Sequence, residues 1–139
     1  MTKQIYVNLP VKNLEKSKEF FAKLGFNFNN QFTDEKAACL ILGDSIYAML
    51  LEEKFFQTFT KKEICDAQKH TEVLIALSSD SREEVDEILG KAVEAGGLIY
   101  KEAQDHGWMY VRSFADLDGH QWEFLFMDEE ALSQMNKKN

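Results

Sequence analysis

Arg112-Ser-Phe-Ala-Asp-Leu-Asp-Gly-His-Gln-Trp-Glu-Phe-Leu-Phe-Met127 is the stretch on which the fold turns. Asp118-Gly119 marks a tight hairpin turn, because glycine takes the positive φ that such turns demand. Beyond it the residues alternate. Trp122, Phe124 and Phe126 point one way, and Gln121, Glu123 and Leu125 point the other. Three large aromatics on one face seek a core. Glu123 sits on the opposite face, so what that face meets decides its role. Facing water, it is a solubilising residue; lining a cavity, it is a desolvated carboxylate and a candidate ligand or base. A turn at Asp118-Gly119 sets Phe114 opposite Glu123 and Arg112 diagonally beside it, where a guanidinium would offset much of the cost of a buried carboxylate.

Upstream, Gln4 to Pro10 alternates Ile5, Val7 and Leu9 against Tyr6 and Asn8, a half-buried strand ended or edged by Pro10. Asn13 is an N-cap for a helix whose apolar stripe is Leu14, Ser17, Phe20, Phe21 and Leu24, and Gly25 closes it. Three strands follow at Phe26–Thr33, Ala37–Leu42 and Ile46–Leu51, parted by polar turns. Residues 52–70 break the pattern: charged, with Phe55, Phe56 and Phe59, they read as a short helix and a connector. Then the order begins again. Glu72–Ser78 alternates as a strand, Ser81-Arg-Glu-Glu84 is a capping box, and Val85, Ile88, Leu89 and Ala92 share a helical face that ends at Gly96-Gly97. Strands at Leu98–Glu102, Trp108–Phe114 and Gln121–Met127 complete it. Val7-Asn-Leu-Pro-Val-Lys-Asn13 aligns with Ile75-Ala-Leu-Ser-Ser-Asp-Ser81, matching each strand and its helix cap. The chain is therefore a repeated βαβββ unit, about 4–51 and about 71–127, with a polar tail over 128–139 that carries at most one loose helical turn.

Composition limits the function classes. With 45% hydrophobic and 12% aromatic residues in 139, the chain has the content for one ordered domain with a substantial core. A net charge of −8 argues against nucleic acid or an anionic membrane surface as partner. No apolar run approaches the roughly 18 residues of a membrane span, and Met-Thr-Lys-Gln lacks a signal-peptide pattern, so a cytoplasmic protein is expected. Cys39 and Cys65, without CxxC spacing, are expected as free thiols.

The opening Leu9-x-Val11-x-Asn13, Ser17, Phe20-Phe21 and Leu24-Gly25-Phe26, with the later Asp116-Leu-Asp-Gly-His-Gln-Trp-Glu123, resembles the vicinal oxygen chelate superfamily, the group of glyoxalase I, bleomycin-resistance proteins and extradiol dioxygenases. The resemblance spans about residues 4 to 127. It implies an α+β fold in which two βαβββ repeats form curved mixed sheets around a cavity, with the helices outside. On that fold Ile5, Val7, Leu9, Val73, Ile75, Leu77, Trp122, Phe124 and Phe126 face the helices. Catalytic members of the group hold a divalent metal through one side chain from each of four strands. Carried over, those positions are Tyr6, Met49, Leu74 and Glu123, of which Glu123 alone is retained. A phenol, a thioether, an aliphatic chain and one carboxylate do not suit a divalent metal, so no metal cofactor is expected. Tyr6, Asn8, Tyr47, Met49, Leu74, Trp108, Tyr110, Arg112 and Phe114 are the expected ligand-binding wall, suited to a small, partly apolar molecule. His70, His106 and His120 are read as surface or turn imidazoles. Two functions stay open: a metal-free binding protein, and a glyoxalase-like lyase or isomerase with Glu123 as its base. The resemblance also implies a homodimer, for which the connector phenylalanines supply apolar surface.

Overall fold

The computed structural model describes residues 1–137, and the last two residues of the expected polar tail lie outside it. Two compact units, Met1–Asp66 and Ala67–Asn139, divide the chain. In the first, β1 (Ile5–Val11) leads into α1 (Leu14–Lys23), then β2 (Asn27–Asn29), β3 (Ala37–Gly43), β4 (Ile46–Glu52) and the short α2 (Glu53–Phe56). The helix forms where the sequence signals it: Asn13 Oδ1 accepts the Lys16 N–H at 3.1 Å, and Gly25 follows its end at φ 100°. Glu15 in the first turn and Lys23 in the last suit the helix dipole. The sheet order is β1-β4-β3-β2, with β1 parallel to β4 and the other pairs antiparallel. The buried side of α1 (Leu14, Ser17, Phe20, Phe21) packs on β3 and β4, where Ala38, Leu40, Ala48 and Leu50 are wholly buried. Each such leucine contributes roughly 1.5–3 kcal/mol by leaving water.

The second unit repeats the scheme with β5 (Leu74–Ser78), α3 (Arg82–Glu94), β6 (Gln104–Asp105), β7 (Met109–Ala115) and β8 (Gln121–Met127), and adds α4 (Glu129–Lys137). Its order is β5-β8-β7-β6, again with first and last strands of the βαβββ unit parallel. Parallel neighbours need a crossover, and here the helix and the intervening strands supply it. Ser81 Oγ accepts the Glu84 N–H at 3.1 Å, while the Glu84 carboxylate reaches back to the Asp80 N–H at 3.2 Å. Val85, Leu89 and Ala92 of α3 are buried against β7 and β8 with Phe114, Trp122 and Phe124.

Several expectations need correction. The strand expected over Phe26–Thr33 is cut to Asn27–Asn29, because Asn29 Oδ1 caps a one-turn 3-10 helix at Asn30–Phe32. No strand runs over Leu98–Glu102. Leu98 exchanges both backbone bonds with Ala115, and pairing resumes only at Gln104 opposite Val111. Five residues (99–103) therefore lie against three (112–114), a broad bulge at the sheet edge. The tail forms α4 rather than one loose turn. Of the residues expected on the helix side, Leu9, Ile75, Trp122 and Phe124 are buried, Val7, Leu77 and Phe126 are half-buried, and Ile5 and Val73 are exposed. Ile5 opens an edge strand and Val73 precedes one, so neither is roofed by a helix.

Candidate ligand-binding site

The hairpin between β7 and β8 sets the register of everything near Glu123. Ala115 pairs with Gln121, so five residues, 116–120, make the turn instead of two. Asp116 holds it. Its Oδ1 accepts the N–H groups of Asp118 and His120, both at 3.0 Å, and its Oδ2 accepts the Trp122 indole N–H at 2.9 Å. Asp116 is buried, and that burial pushes its carboxyl pKa up, against the His120 charge and the Trp122 bond, which pull it down. Gly119 sits at φ 91°, and a Cβ there would lie 2.7 Å from the Ala67 carbonyl oxygen. No other residue fits that position.

This turn shifts the pairing by one residue from the expected register. Ser113, not Phe114, lies opposite Glu123, and Arg112 pairs with Phe124. A one-residue slip sends every side chain of β7 to the other face. Phe114, Arg112 and Tyr110 are thus on the helix side and do not wall a site around Glu123. Phe114 is fully buried and stacks on Phe124 at 5.8 Å between centroids. Arg112 Nη1 and the Tyr110 hydroxyl both donate to Asp86 Oδ1 of α3, at 3.0 and 2.6 Å. Arg82 of the same helix bonds Asp105 through both Nη atoms, at 2.7 and 3.1 Å, and lies 5.1 Å above the Tyr110 ring. The group clasps β6 and β7 to α3. The Tyr110 bond above all holds the Asp86 carboxyl below its ordinary pKa, and the Arg82 bond holds that of Asp105 at about 2.

The opposite face of the second sheet presents Leu74 and Ala76 of β5, Gln121, Glu123 and Leu125 of β8, and Val111, Ser113 and Ala115 of β7. Glu123 is half-buried, with Ala76 on one side and Ser113 on the other. It makes no hydrogen bond or ion pair among the described residues. Ser113 is 1% exposed, and its Oγ has no hydrogen-bond partner. The bulge at 99–103 brings Tyr100 close to both. Burial raises the Tyr100 phenol pKa, the nearby Ser113 hydroxyl lowers it in part, and the Glu123 charge raises it again. The approach of Tyr100 to Ser113 falls short of hydrogen-bond geometry. Sequence reasoning missed both residues. Tyr100 lies in a stretch that reads as a regular strand, and Ser113 was turned to the wrong face; the Asp116 side chain, a strong former of local turns, was the available signal.

In the first unit, Tyr6 pairs with Tyr47, and Asn8 with Met49, on the face of the sheet away from α1. The two tyrosine rings stack at 4.8 Å, and their hydroxyls are engaged locally, Tyr6 with Gln4 Oε1 at 3.2 Å and Tyr47 with the Asp44 carbonyl at 3.2 Å. Cys39 lies beside Met49, fully buried, and both cysteines are free thiols. Leu74 is 53% exposed at the start of β5. Trp108 precedes β7, half-buried, its ring 6.5 Å from that of His106. His70 and His106 are exposed, and His120 is buried within the Asp116 turn. The four positions carried over for a metal, Tyr6, Met49, Leu74 and Glu123, contain one strong donor at neutral pH. A leucine offers no lone pair and a phenol must first lose its proton to coordinate, so this donor set does not fit a divalent cation.

The model of the Glyoxalase/Bleomycin resistance protein/Dioxygenase superfamily matches residues 3–124. Among solved structures, hypothetical protein SA1046 from S. aureus is 34% identical, with 91% of this chain and 94% of that one covered and a TM-score of 0.77. A glyoxalase-related enzyme from Fulvimarina pelagi is 20% identical over 90% and 88%, with a TM-score of 0.76. The fosfomycin resistance protein FosX from Listeria monocytogenes is 19% identical over 94% and 98%, with a TM-score of 0.68. The last two likenesses are of fold alone. No curated protein matches the chain significantly.

Proposed function

The chain belongs to the Glyoxalase/Bleomycin resistance protein/Dioxygenase superfamily, and from that membership and the geometry above we propose that it binds a small, partly apolar molecule beside Glu123, on the face of its second sheet turned away from α3, without a metal. One observation carries this reading. Glu123 is the sole charged side chain that β5, β7 and β8 place on that face, half-buried and unpaired, among Leu74, Ala76, Val111 and Leu125. A half-buried carboxylate without a partner is costly unless a ligand supplies one. The surrounding side chains suit an apolar body. A second reading is a lyase or isomerase in which the half-buried Glu123 carboxylate acts as general base.

Thermal shift with a panel of small aliphatic and aromatic compounds tests the binding reading. A compound at about 100 times its Kd stabilises the protein by roughly 2.7 kcal/mol, a clear rise in Tm. A panel in which no compound moves the Tm, or one whose hits are indifferent to Glu123→Gln, would refute it. Among the described residues no helix is long and apolar enough to cross a membrane. A cytoplasmic homodimer is the expected setting, supported by Phe59 and Ile5, which stand exposed at the connector and at the edge strand.

A further inference from the structure

We propose that two copies of this chain meet along the edge of the second sheet at residues 98–104, the bulged strip of one lying antiparallel to that of the other about a two-fold axis. The inference rests on the homodimer reading above and places the contact on this edge rather than at the connector. The strip begins where Leu98 exchanges backbone bonds with Ala115 and ends where Gln104 pairs with Val111. Between those points residues 99–103 make no backbone hydrogen bond among the described residues, and all five are exposed. Leu98, Ile99 and Tyr100 stand exposed in succession, Leu98 to 66%. Leu117, also exposed, lies against Gly96 and follows by two residues the Ala115 that pairs with Leu98. A lone exposed apolar residue needs no explanation. A run of them on a sheet edge with free backbone groups is a surface for another chain.

The charges select the occupant. The chain carries a net charge of −8, so the acidic faces of two copies repel each other. Residues 98–104 hold one lysine and one glutamate, and the strip is neutral. A lone lysine guards a sheet edge, because a second copy would bring a second lysine to it. Glu102 reverses that effect. With the two-fold axis between residues 101 and 102, Lys101 of each copy stands opposite Glu102 of the other, which makes two ion pairs across the contact. Tyr100 then faces Ala103, and Ile99 faces Gln104. A slip of one place in either direction sets Lys101 against Lys101 or Glu102 against Glu102, so like charges exclude the neighbouring registers. Among the described residues neither Lys101 nor Glu102 has an ion-pair partner within the chain, and both can reach across. The backbone bends at Lys101, so the centre of the contact is made by side chains and its flanks by free backbone groups.

Sedimentation equilibrium of the full chain from about 1 to 100 µM, the range in which a small interface associates, tests this. At the upper end the parent is expected at twice the 16.1 kDa mass of the chain. Lys101→Glu and Glu102→Lys each turn two attractions into two repulsions, and each should weaken the dimer about ten-fold. Both side chains are exposed and unpaired within the chain, so the circular dichroism of each variant should match the parent. An equimolar mixture of the two variants should associate again as the parent does, because every introduced charge then meets its opposite. The double variant, with the two charges exchanged, should do the same. A monomer throughout the range would overturn both the homodimer reading and this inference. A parent dimer matched in strength by both single variants would overturn the inference and leave the homodimer reading standing. Single variants that dissociate without recovering in the mixture would also overturn it, because the loss would then not come from Lys101 facing Glu102.

Discussion

Replacing Asp116 by alanine tests whether one side chain sets the register that carries the site. The carboxylate accepts two backbone N–H groups and the Trp122 indole, and Trp122 is wholly buried. Its removal strands the indole and the His120 N–H, each at about 1–3 kcal/mol when left unpaired. The Asp118 N–H, only part-buried, regains water. Against this, the buried carboxylate is itself costly, as its raised pKa records, and removing it recovers part of the loss. The net is about 3 kcal/mol, which for a chain of this size lowers the Tm by ~10 °C. Asp116→Asn keeps an acceptor for the backbone groups but turns an amide N–H toward the indole, and should cost about 1 kcal/mol. The pH dependence has a definite sign. A folded-state pKa raised above the unfolded one, near 4, means that the Asp116 contribution is full below that value and shrinks as pH rises through the folded pKa. The asparagine variant loses that dependence. Urea unfolding of the three proteins across the acid range measures all of it. An alanine variant within about 0.5 kcal/mol of the parent, well below the usual cost of a stranded buried donor, would refute the role given to Asp116.

Two further outcomes follow from other parts of the molecule. Asp105 should titrate at about 2 by carboxyl-carbon NMR and move upward in Arg82→Ala, since the Arg82 bond is the main cause of its low pKa, while the Gly107 N–H bond keeps part of the depression. Because Asp105 and Asp86 are both depressed in the fold, their stabilisation is present above about pH 4 and is lost as pH falls toward 2; flat stability through that window would count against the clasp. The purified protein is expected to carry less than one equivalent of zinc, nickel, iron or manganese by elemental analysis, and added metal should leave its Tm unchanged. Stoichiometric metal that disappears in Glu123→Gln would reverse the metal-free reading.

Local chemistry made most of the fold legible. Asn13 and Ser81 cap the helices they were expected to cap, and the alternation around Trp122 and Phe124 put those rings in the core. The repeat showed in the parallel strand–cap spacing of Val7 to Asn13 and Ile75 to Ser81, and it returns as two sheets of the same strand order. The site was less legible, because it depends on register, and register is decided by bonds that a period of two does not contain. Asp118-Gly119 by itself reads as a two-residue turn. The Asp116 carboxylate, gripping backbone two and four residues ahead, lengthens the turn to five and moves β7 by one place. Under the shorter turn Arg112 would neutralise Glu123, and the face would be a closed ion pair with nothing to offer. Under the observed one Arg112 is spent on Asp86, and a buried serine hydroxyl faces the carboxylate instead. Tyr100 was hidden for a related reason. Its sequence neighbours favour a strand, but the two surplus residues between the Leu98 and Gln104 pairings throw the backbone out of the ladder, and Tyr100 lies among them. The chemistry of this face thus follows from two departures from regular pairing, one held by a side-chain carboxylate and one by chain length alone.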